Sequence, residues 1–339
     1  MFLLYQKGMK LFICSLLIPA NIMYAQDKAP QSRHVDTCID YVHQRPASFR
    51  SRCLQTLMAI AGKKNGLKKA MQNGHFQTEA ANIPASLTAE FNVREIDVND
   101  RKAWLVTPDG RITNKIILYI HGGGYISNMT TYDWNFVREL TAKTNFRILV
   151  ADYPLAPSAN YKNVYDYFGD LYQIALNHIS SDDVIFIGNS AGGGIALGFS
   201  QHLRDKGTPL PSKVILNSPW LDITMSNPEI GNVDRKDKLL SIDGLRMAGQ
   251  AYAEDLDPRD PKVSPIYGDF SDIPPISLFI GTHDVFLPDA RKLKQHLRSL
   301  NIPLNYYEYP KMFHMWMAVT NLEESKHAID QMVGIIHDR

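Results

Sequence analysis

The chain has few cysteines, almost no net charge and no long hydrophobic run. Its 339 residues include 3 Cys, 36 Lys or Arg and 35 Asp or Glu, for a formal net charge of +1. This balance argues against nucleic acid as the main partner, because phosphate binding needs a basic surface. No cluster of Cys and His has the spacing of metal ligands, so no metal site is predicted. The length suits one large α/β domain or two smaller domains.

The N-terminus carries the pattern of an export signal. Residues 1–25 contain no acidic residue; Lys7 and Lys10 precede an apolar run over residues 11–20, and the small residue Ala25 follows. A basic start, a short apolar centre and a small residue at the end are typical of a secretory signal peptide. The run has about half of the ~20 residues that a membrane-spanning helix needs. We therefore predict a cleaved signal peptide, an exported protein (periplasmic or secreted) and no stable membrane span after processing. An uncleaved anchor and an N-terminal core helix are the alternatives.

The three cysteines divide between the predicted signal peptide and the mature chain. Cys14 falls inside the signal, and Cys38 and Cys53 remain as a pair. Oxidising compartments favour disulfides between such pairs. The sequence therefore indicates a candidate disulfide between Cys38 and Cys53, and the alternative is two buried free thiols.

The rest of the chain divides into two regions with different sequence patterns. Residues 26–90 are predicted to be helical, whereas residues 91–339 alternate between short apolar runs and stretches of helical length. The predicted strands are residues 91–98, 102–106, 115–120, 147–151, 184–187, 214–216, 276–280 and 304–309. The predicted helices are residues 134–144, 161–178, 195–204, 290–300 and 323–337. This alternation indicates an α/β protein with a mostly parallel sheet and helices on both faces. A polar, proline-rich insertion interrupts it at residues 222–265.

The strongest motif is a glycine-flanked serine after an apolar run. Gly188-Asn189-Ser190-Ala191-Gly192 follows residues 184–187 directly. A Gly-x-Ser-x-Gly sequence between a strand and a helix is typical of a nucleophile elbow. The turn holds its serine in a strained conformation, and side chains two positions before or after the serine would collide. We therefore predict Ser190 as a nucleophile and Gly188 and Gly192 as its structural supports.

A second glycine motif precedes the first along the chain. His121-Gly122-Gly123-Gly124 follows the apolar run at residues 115–120. Successive glycines let the backbone approach a substrate and direct its N–H groups at one point, where an oxyanion can be stabilised. We predict His121 to be structural, with hydrogen bonds that fix this loop.

A nucleophilic serine needs a base, and the base needs an orienting carboxylate. Asp284 lies just past the predicted strand at residues 276–280, and His314 follows the last predicted strand. Asp289 competes with Asp284, but it follows a proline where a helix is predicted to begin. The sequence therefore predicts Ser190, Asp284 and His314 as the catalytic residues. His327 and His337 fall in the last predicted helix, where a packing or surface role is expected.

Six features from about Phe91 to the C-terminus occur together: His121-Gly122-Gly123-Gly124-Tyr125, Asp152-Tyr153-Pro154-Leu155-Ala156-Pro157, Gly188-Asn189-Ser190-Ala191-Gly192-Gly193, Ser218-Pro219-Trp220-Leu221-Asp222, Asp284 and His314. In this combination the chain resembles the hormone-sensitive-lipase-like bacterial carboxylesterases of the α/β-hydrolase superfamily. The resemblance implies an α/β-hydrolase fold with an eight-stranded, mostly parallel sheet over residues 91–339 and an N-terminal helical cap over residues 26–90. It also implies that the N–H groups of Gly123, Gly124 and Ala191 form the oxyanion hole.

The sequence departs from the family pattern at three positions. Asn189 stands where the family usually has Asp, Pro154 where it has Arg, and Ser158 where it has Glu. None of these changes removes a predicted catalytic group. They bear on substrate range more than on activity.

The function that the resemblance implies is a serine carboxylesterase acting on short- to medium-chain acyl esters. Its partner would be a small-molecule ester, and neither metal nor cofactor is needed. The same residues would also serve an amidase, a formamidase or a lactonase. A small-molecule-binding protein on this scaffold is the alternative from another class, although Ser190, Asp284 and His314 are all present. A lipase acting at an oil–water interface is a further alternative, but the cap sequence contains no long apolar helix. The sequence leaves a homodimer open.

Overall fold

The computed structural model describes residues 38–110 and 113–338, and these residues contain a sheet of nine strands. The strands are β1 (Asp40–Val42), β2 (Phe91–Val98), β3 (Arg101–Pro108), β4 (Ile116–Ile120), β5 (Arg147–Ala151), β6 (Val184–Asn189), β7 (Lys213–Asn217), β8 (Ile276–His283) and β9 (Leu304–Phe313). Every residue of β4 and of β6 is buried. This is expected for unbroken apolar runs that helices cover on both faces.

The order of the strands places two loops beside each other. Across the sheet the order is β1-β9-β8-β7-β6-β4-β5-β3-β2. The pairs β2–β3 and β3–β5 are antiparallel, and the other neighbouring pairs are parallel. After β4 the chain moves to one side for β5 and then to the other side for β6. Loops at the carboxyl ends of β4 and β6 therefore border a crevice, where open α/β sheets bind ligands.

Ten α-helices lie among the described residues. They are α1 (Phe49–Ile60), α2 (Gly66–Asn73), α3 (Ala85–Glu90), α4 (Thr131–Thr144), α5 (Tyr161–Leu176), α6 (Ala191–Asp205), α7 (Ile230–Asp234), α8 (Ile242–Ala253), α9 (Leu287–Ser299) and α10 (Glu323–His337). The first three fall in the predicted cap region, and α7 and α8 form within the predicted insertion. The backbones of α2 and α8 approach closely, since a Cβ added to Gly244 would lie 2.7 Å from the backbone nitrogen of Lys68.

The prediction of eight strands is wrong by one, because β1 adds a ninth. β1 comes from the predicted cap region and pairs in parallel with β9 at the edge of the sheet. Lys294 and Arg298 of α9 each contact a different carboxylate oxygen of Asp40 at 2.6 Å. A strand of three residues is too short to show the alternation from which strands are predicted. The N-terminal region is therefore joined to the sheet itself.

The candidate disulfide is not formed. Cys38 and Cys53 are both free thiols on exposed residues, so the expectation of a bridge and the alternative of buried thiols both fail. Cys38 precedes the edge strand β1, whereas Cys53 lies on the outer face of α1. The two side chains thus belong to separate elements and face solvent.

The predicted signal peptide at residues 1–25 lies outside the described residues. Within residues 38–110 and 113–338, no helix is both long enough and apolar enough to cross a membrane.

Candidate active site

Ser190 sits in a sharp turn between β6 and α6. Its φ of 53° and ψ of −117° are unusual for a residue with a side chain. A Cβ on Gly188 would lie 2.3 Å from the carbonyl oxygen of Gly192, and one on Gly192 would lie 2.2 Å from that of Ile120. Both glycines are therefore required by backbone contacts. The turn has the geometry of a nucleophile elbow.

Hydrogen bonds join the predicted serine, histidine and aspartate. Nε2 of His314 lies 3.0 Å from Oγ of Ser190, and Nδ1 lies 2.9 Å from Oδ2 of Asp284. Ser190 is 6 % exposed, His314 is 7 % exposed and Asp284 is fully buried. These contacts have the geometry of a nucleophile, a base and an orienting carboxylate. The structure brings together the three residues that the sequence predicts as catalytic.

The structure separates the two candidate acids. The backbone N–H of Phe286 donates to Oδ1 of Asp284 at 3.0 Å, which fixes the carboxylate beside His314. Asp289 lies in the first turn of α9 and accepts a hydrogen bond from the side-chain amide of Asn227 at 2.9 Å. Burial raises the pKa of Asp289 to about 6. Asp289 therefore belongs to the buried start of α9 and does not contact the imidazole.

A second buried carboxylate lies next to the segment that carries Asp284, and the sequence did not reveal it. Asp237, in the segment between α7 and α8, accepts N–H hydrogen bonds from Leu239, Leu240 and Val285 at 2.7, 2.9 and 3.0 Å. The bond from Val285 attaches the insertion to the residue after Asp284. Burial, reinforced by the charge of Asp284, raises the pKa of Asp237 to about 6.

Two carboxylates influence the imidazole of His314. Burial by itself would lower the pKa of His314, because a buried cation loses its hydration. The charge of Asp284, its hydrogen bond and the charge of Asp237 outweigh burial, so that the pKa of His314 lies above its ordinary value. The site is thus arranged to stabilise an imidazolium.

The glycine loop after β4 faces the serine turn. A Cβ on Gly122 would come within 3.1 Å of Cβ of Ser190. Gly123 has a φ of +106°, and a Cβ there would lie 2.0 Å from the carbonyl oxygen of Ser127. Among the backbone hydrogen bonds of the described chain, none uses the N–H of Gly123, Gly124 or Ala191. Because Ala191 begins α6, its N–H has no acceptor within the helix. Three donors are therefore free in this part of the structure.

His121 holds the glycine loop from below. Its Nδ1 lies 2.7 Å from the carbonyl oxygen of Gly122, and its ring stacks on Tyr153 with centroids 4.3 Å apart. The Tyr153 hydroxyl donates to the carbonyls of His121 and Gly122 at 2.9 and 3.2 Å. Burial lowers the pKa of His121 and favours the neutral ring. These contacts fit the predicted structural role of His121, whose ring hydrogen-bonds to the glycine loop.

Asn189, the departure beside the nucleophile, belongs to a buried hydrogen-bond chain. Its amide nitrogen donates to the hydroxyl of Tyr119 at 2.6 Å, and its oxygen accepts from Asn217 at 2.9 Å. Tyr119 in turn donates to Asp133 at 2.7 Å. With Asn at 189, Tyr119 accepts one hydrogen bond and donates another. An Asp at 189 would remove that donor and bring a second carboxylate to the same hydroxyl.

A cavity of about 620 Å³ opens onto the serine. Its floor contains Gly122, Gly123, Gly124, Ser190 and His314. Its walls are mostly apolar and come from α1, α2, α8 with the segment before it, and the end of β9 with the chain after it. They include Leu54, Leu57, Met58, Leu67, Leu239, Leu240, Leu245, Phe313, Ala318 and Val319. A volume in the range of ~300–1,000 Å³ and apolar walls with few polar groups are typical of small-molecule sites.

The described residues contain no group of three or more His, Cys, Asp or Glu that could hold a metal ion. The polar groups of the cavity floor are instead a hydroxyl, an imidazole and backbone N–H groups. Those groups can carry out acyl transfer.

Comparison with known families agrees with this fold. A family model described as alpha/beta hydrolase fold matches residues 117–318, which is more than half of the chain. The chain belongs to this α/β-hydrolase family, in its hormone-sensitive-lipase-like branch. The matched residues extend from β4 through the 3-10 helix after His314.

Relatives define the enzyme class. An esterase of Acinetobacter venetianus is 30 % identical over 210 residues, which cover 60 % of this chain and 69 % of the relative. An acetyl-hydrolase of Streptomyces hygroscopicus is 30 % identical over 207 residues, which cover 61 % and 69 %. The solved structure of EstE5, soaked with p-nitrophenyl butyrate, has a TM-score of 0.74 at 25 % identity and covers 86 % of this chain and 98 % of its own. The protein is a carboxylic ester hydrolase.

Proposed function

We propose that the protein is a serine carboxylesterase for short- to medium-chain acyl esters, with Ser190, His314 and Asp284 as its catalytic triad. The observation that carries the proposal is the pair of contacts made by His314, at 3.0 Å to Ser190 and 2.9 Å to Asp284. The apolar cavity beside Ser190 supports an acyl ester as substrate.

In the proposed acylation step, His314 accepts the proton of Ser190 while Oγ attacks the ester carbonyl. The carbonyl oxygen becomes an oxyanion, and the N–H groups of Gly123, Gly124 and Ala191 donate to it. Removing a single such donor typically costs about 3 kcal/mol of transition-state stabilisation. His314 then protonates the departing alcohol, and the acyl group remains on Ser190.

Deacylation reverses these roles. His314 removes a proton from water, the resulting hydroxide attacks the acyl-enzyme, and Ser190 recovers its proton as the acid leaves. Asp284 holds the imidazole tautomer and stabilises its positive charge. Asp237 adds a second negative charge and fixes the loop that carries Asp284.

Hydrolysis of p-nitrophenyl esters from acetate to palmitate, with wild type and Ser190→Ala side by side, tests the proposal. We expect activity in wild type alone, highest for short chains. Esterase activity retained by purified Ser190→Ala would refute the assigned nucleophile. If folded wild type hydrolysed no ester but did hydrolyse amides or lactones, the same residues would be assigned to amide or lactone hydrolysis.

We also propose that the protein is exported after cleavage behind Ala25. The support is the basic, acid-free start of the chain and the short apolar run at residues 11–20. Mass spectrometry of the protein recovered from its native host would find Gln26 as the first residue. An N-terminus at Met1, or at Met9 if translation begins there, would contradict processing.

A further inference from the structure

The outer face of α1 carries an apolar stripe that the described chain does not cover. Phe49, Leu57 and Ile60 are 73 %, 62 % and 78 % exposed. Together with the exposed Cys53, these residues are spaced at helical intervals and lie on one face. Single exposed apolar residues are ordinary, but an aligned group of large ones marks an interaction surface.

The inner face of the same helix is also apolar. Leu54 and Met58 pack against the core and line the cavity above Ser190. A helix that is apolar on both faces is normally enclosed on both faces. Because α1 is enclosed on one face only in the described chain, its outer face has the composition of a contact surface.

The charge around this stripe has one sign. No Asp or Glu occurs from Tyr41 to Thr78. The same range contains Arg45, Arg50, Arg52, Lys63, Lys64, Lys68 and Lys69. Lys64 and Lys68 pair with Asp234 and Asp243, whereas the other five are exposed. In a chain with a net charge of +1, this is a local concentration of positive charge.

Arg50 and Arg52 flank the stripe on its two sides. Helical periodicity places each of them about 60–100° from the line of Phe49 and Ile60. Apolar residues with Lys or Arg along both borders are typical of helices that lie in the interface of anionic membranes.

The stripe continues into the active site. Leu57 belongs to the stripe and also lines the cavity that contains Ser190. A surface that covers the stripe would therefore lie at the entrance of the cavity, where esters enter and products leave.

We propose that the outer stripe of α1 docks the protein on an anionic lipid surface. A second copy of the chain fits less well, because a two-fold interface would place Arg50 and Arg52 opposite the same basic residues. The lipid headgroups supply the opposite charge, and the acyl region receives Phe49 and Ile60. This proposal concerns attachment to a surface and does not depend on the proposed chemistry.

Flotation of the full chain with vesicles tests the proposal. The probes are vesicles of phosphatidylcholine alone and vesicles with phosphatidylglycerol added. We expect binding to the anionic vesicles that weakens as salt is added. Phe49→Ser/Ile60→Ser should reduce partitioning at least tenfold, whereas Leu300→Ser, which removes an exposed apolar side chain outside the stripe, should leave it unchanged.

A charge variant separates electrostatic from apolar attachment. Arg50→Gln/Arg52→Gln should bind anionic vesicles about thirtyfold less tightly, given the usual contribution of each basic residue at a membrane surface. The control Lys206→Gln/Lys326→Gln removes the same charge from exposed positions elsewhere and should have a smaller effect. Hydrolysis of a soluble ester by Phe49→Ser/Ile60→Ser should match wild type, since neither residue lines the cavity.

Two results would overturn the proposal. One is vesicle binding that neither the apolar nor the basic double variant reduces relative to its control. The other is a concentration-dependent dimer in sedimentation that Phe49→Ser/Ile60→Ser abolishes, which would assign the stripe to a second copy. If wild type had no esterase activity, vesicle binding would still be expected. Failure of the proposed chemistry can therefore be told apart from failure of the docking proposal.

Discussion

The turn around Ser190 and the N-terminal helices differ in how much space their glycines leave. At Gly188 and Gly192 an added Cβ would lie 2.2–2.3 Å from a backbone oxygen. At Gly62, Gly66 and Gly74 it would meet nothing within 4 Å. The turn around Ser190 is thus fixed by backbone packing, whereas the N-terminal helices have open space at these three glycines. Short sequence motifs therefore predict the turn around Ser190 better than they predict how the N-terminal helices pack.

The largest effect is expected at Asp284, the proposed acid of the triad. Asp284→Asn should reduce kcat by about 10⁴-fold, because the imidazole would lose the acceptor that holds its tautomer. Asp289→Asn should stay within about threefold of wild type, because Asp289 contacts Asn227 and not His314. Steady-state kinetics on p-nitrophenyl butyrate measures both. Equal losses in the two variants would contradict the assignment of Asp284.

The contrast between glycines predicts opposite effects on stability. Gly192→Ala should lower the free energy of unfolding by about 3 kcal/mol, since its Cβ would overlap two backbone carbonyls. Gly66→Ala should raise it by about 0.5 kcal/mol, because Gly66 has helical dihedral angles and open space. Urea denaturation of both variants provides the values. A Gly192→Ala variant as stable as wild type would show that the turn is less constrained than the structure indicates.

Asp237→Asn should reduce kcat/KM about tenfold by removing one of two negative charges near the imidazolium. With both carboxylates present, the acidic limb of the kcat/KM profile is expected above pH 6.5, because neutral His314 is the active base and its pKa is raised. In Asp237→Asn that limb should move to lower pH. Asp243→Asn, which removes an exposed carboxylate of the same insertion, should leave it unchanged. A purely structural role for Asp237 would lower activity without moving the limb.

The same variant makes a prediction for stability. The pKa of Asp237 is raised to about 6 in the folded state, so its protonated form stabilises the fold at low pH and that contribution is lost as pH rises through 6. Asn at 237 does not titrate. The free energy of unfolding of Asp237→Asn, measured by urea denaturation relative to wild type, should therefore increase as the pH is raised from 4.5 to 7.5. If the difference in the free energy of unfolding between Asp237→Asn and wild type stayed constant across that range, Asp237 would not be buried in its ionised form.

Much of the candidate active site could be predicted from sequence, because each of its parts has a local signature. The strand before Ser190, the glycines around it and the position of His314 after the last strand follow from short patterns. The predicted helix at residues 323–337 and the predicted strand at residues 147–151 agree with the structure to the residue. These elements are long or uniformly apolar, so local pattern and tertiary environment agree.

The features that sequence could not give depend on contacts between distant parts of the chain. β1 is recognisable only through its pairing with β9, and Asp237 reaches Val285 only after the insertion folds back over the sheet. The candidate disulfide failed for the same reason, since the proximity of Cys38 and Cys53 in sequence does not fix their proximity in space. In the sequence, Asp237 is one acidic residue in a polar insertion. Such residues are usually exposed, so nothing in the pattern indicated that it would be buried.

Covalent labelling of the nucleophile tests the central claim most directly. The Oγ of an activated serine attacks the phosphorus of a fluorophosphonate, and fluoride leaves into solvent. The phosphonyl group stays on the serine, where peptide mass spectrometry can locate it. We predict that wild type is labelled on Ser190, that Ser190→Ala is not labelled, and that His314→Ala is labelled far more slowly. Labelling of a different residue, or equal labelling of Ser190→Ala and wild type, would contradict the proposed triad.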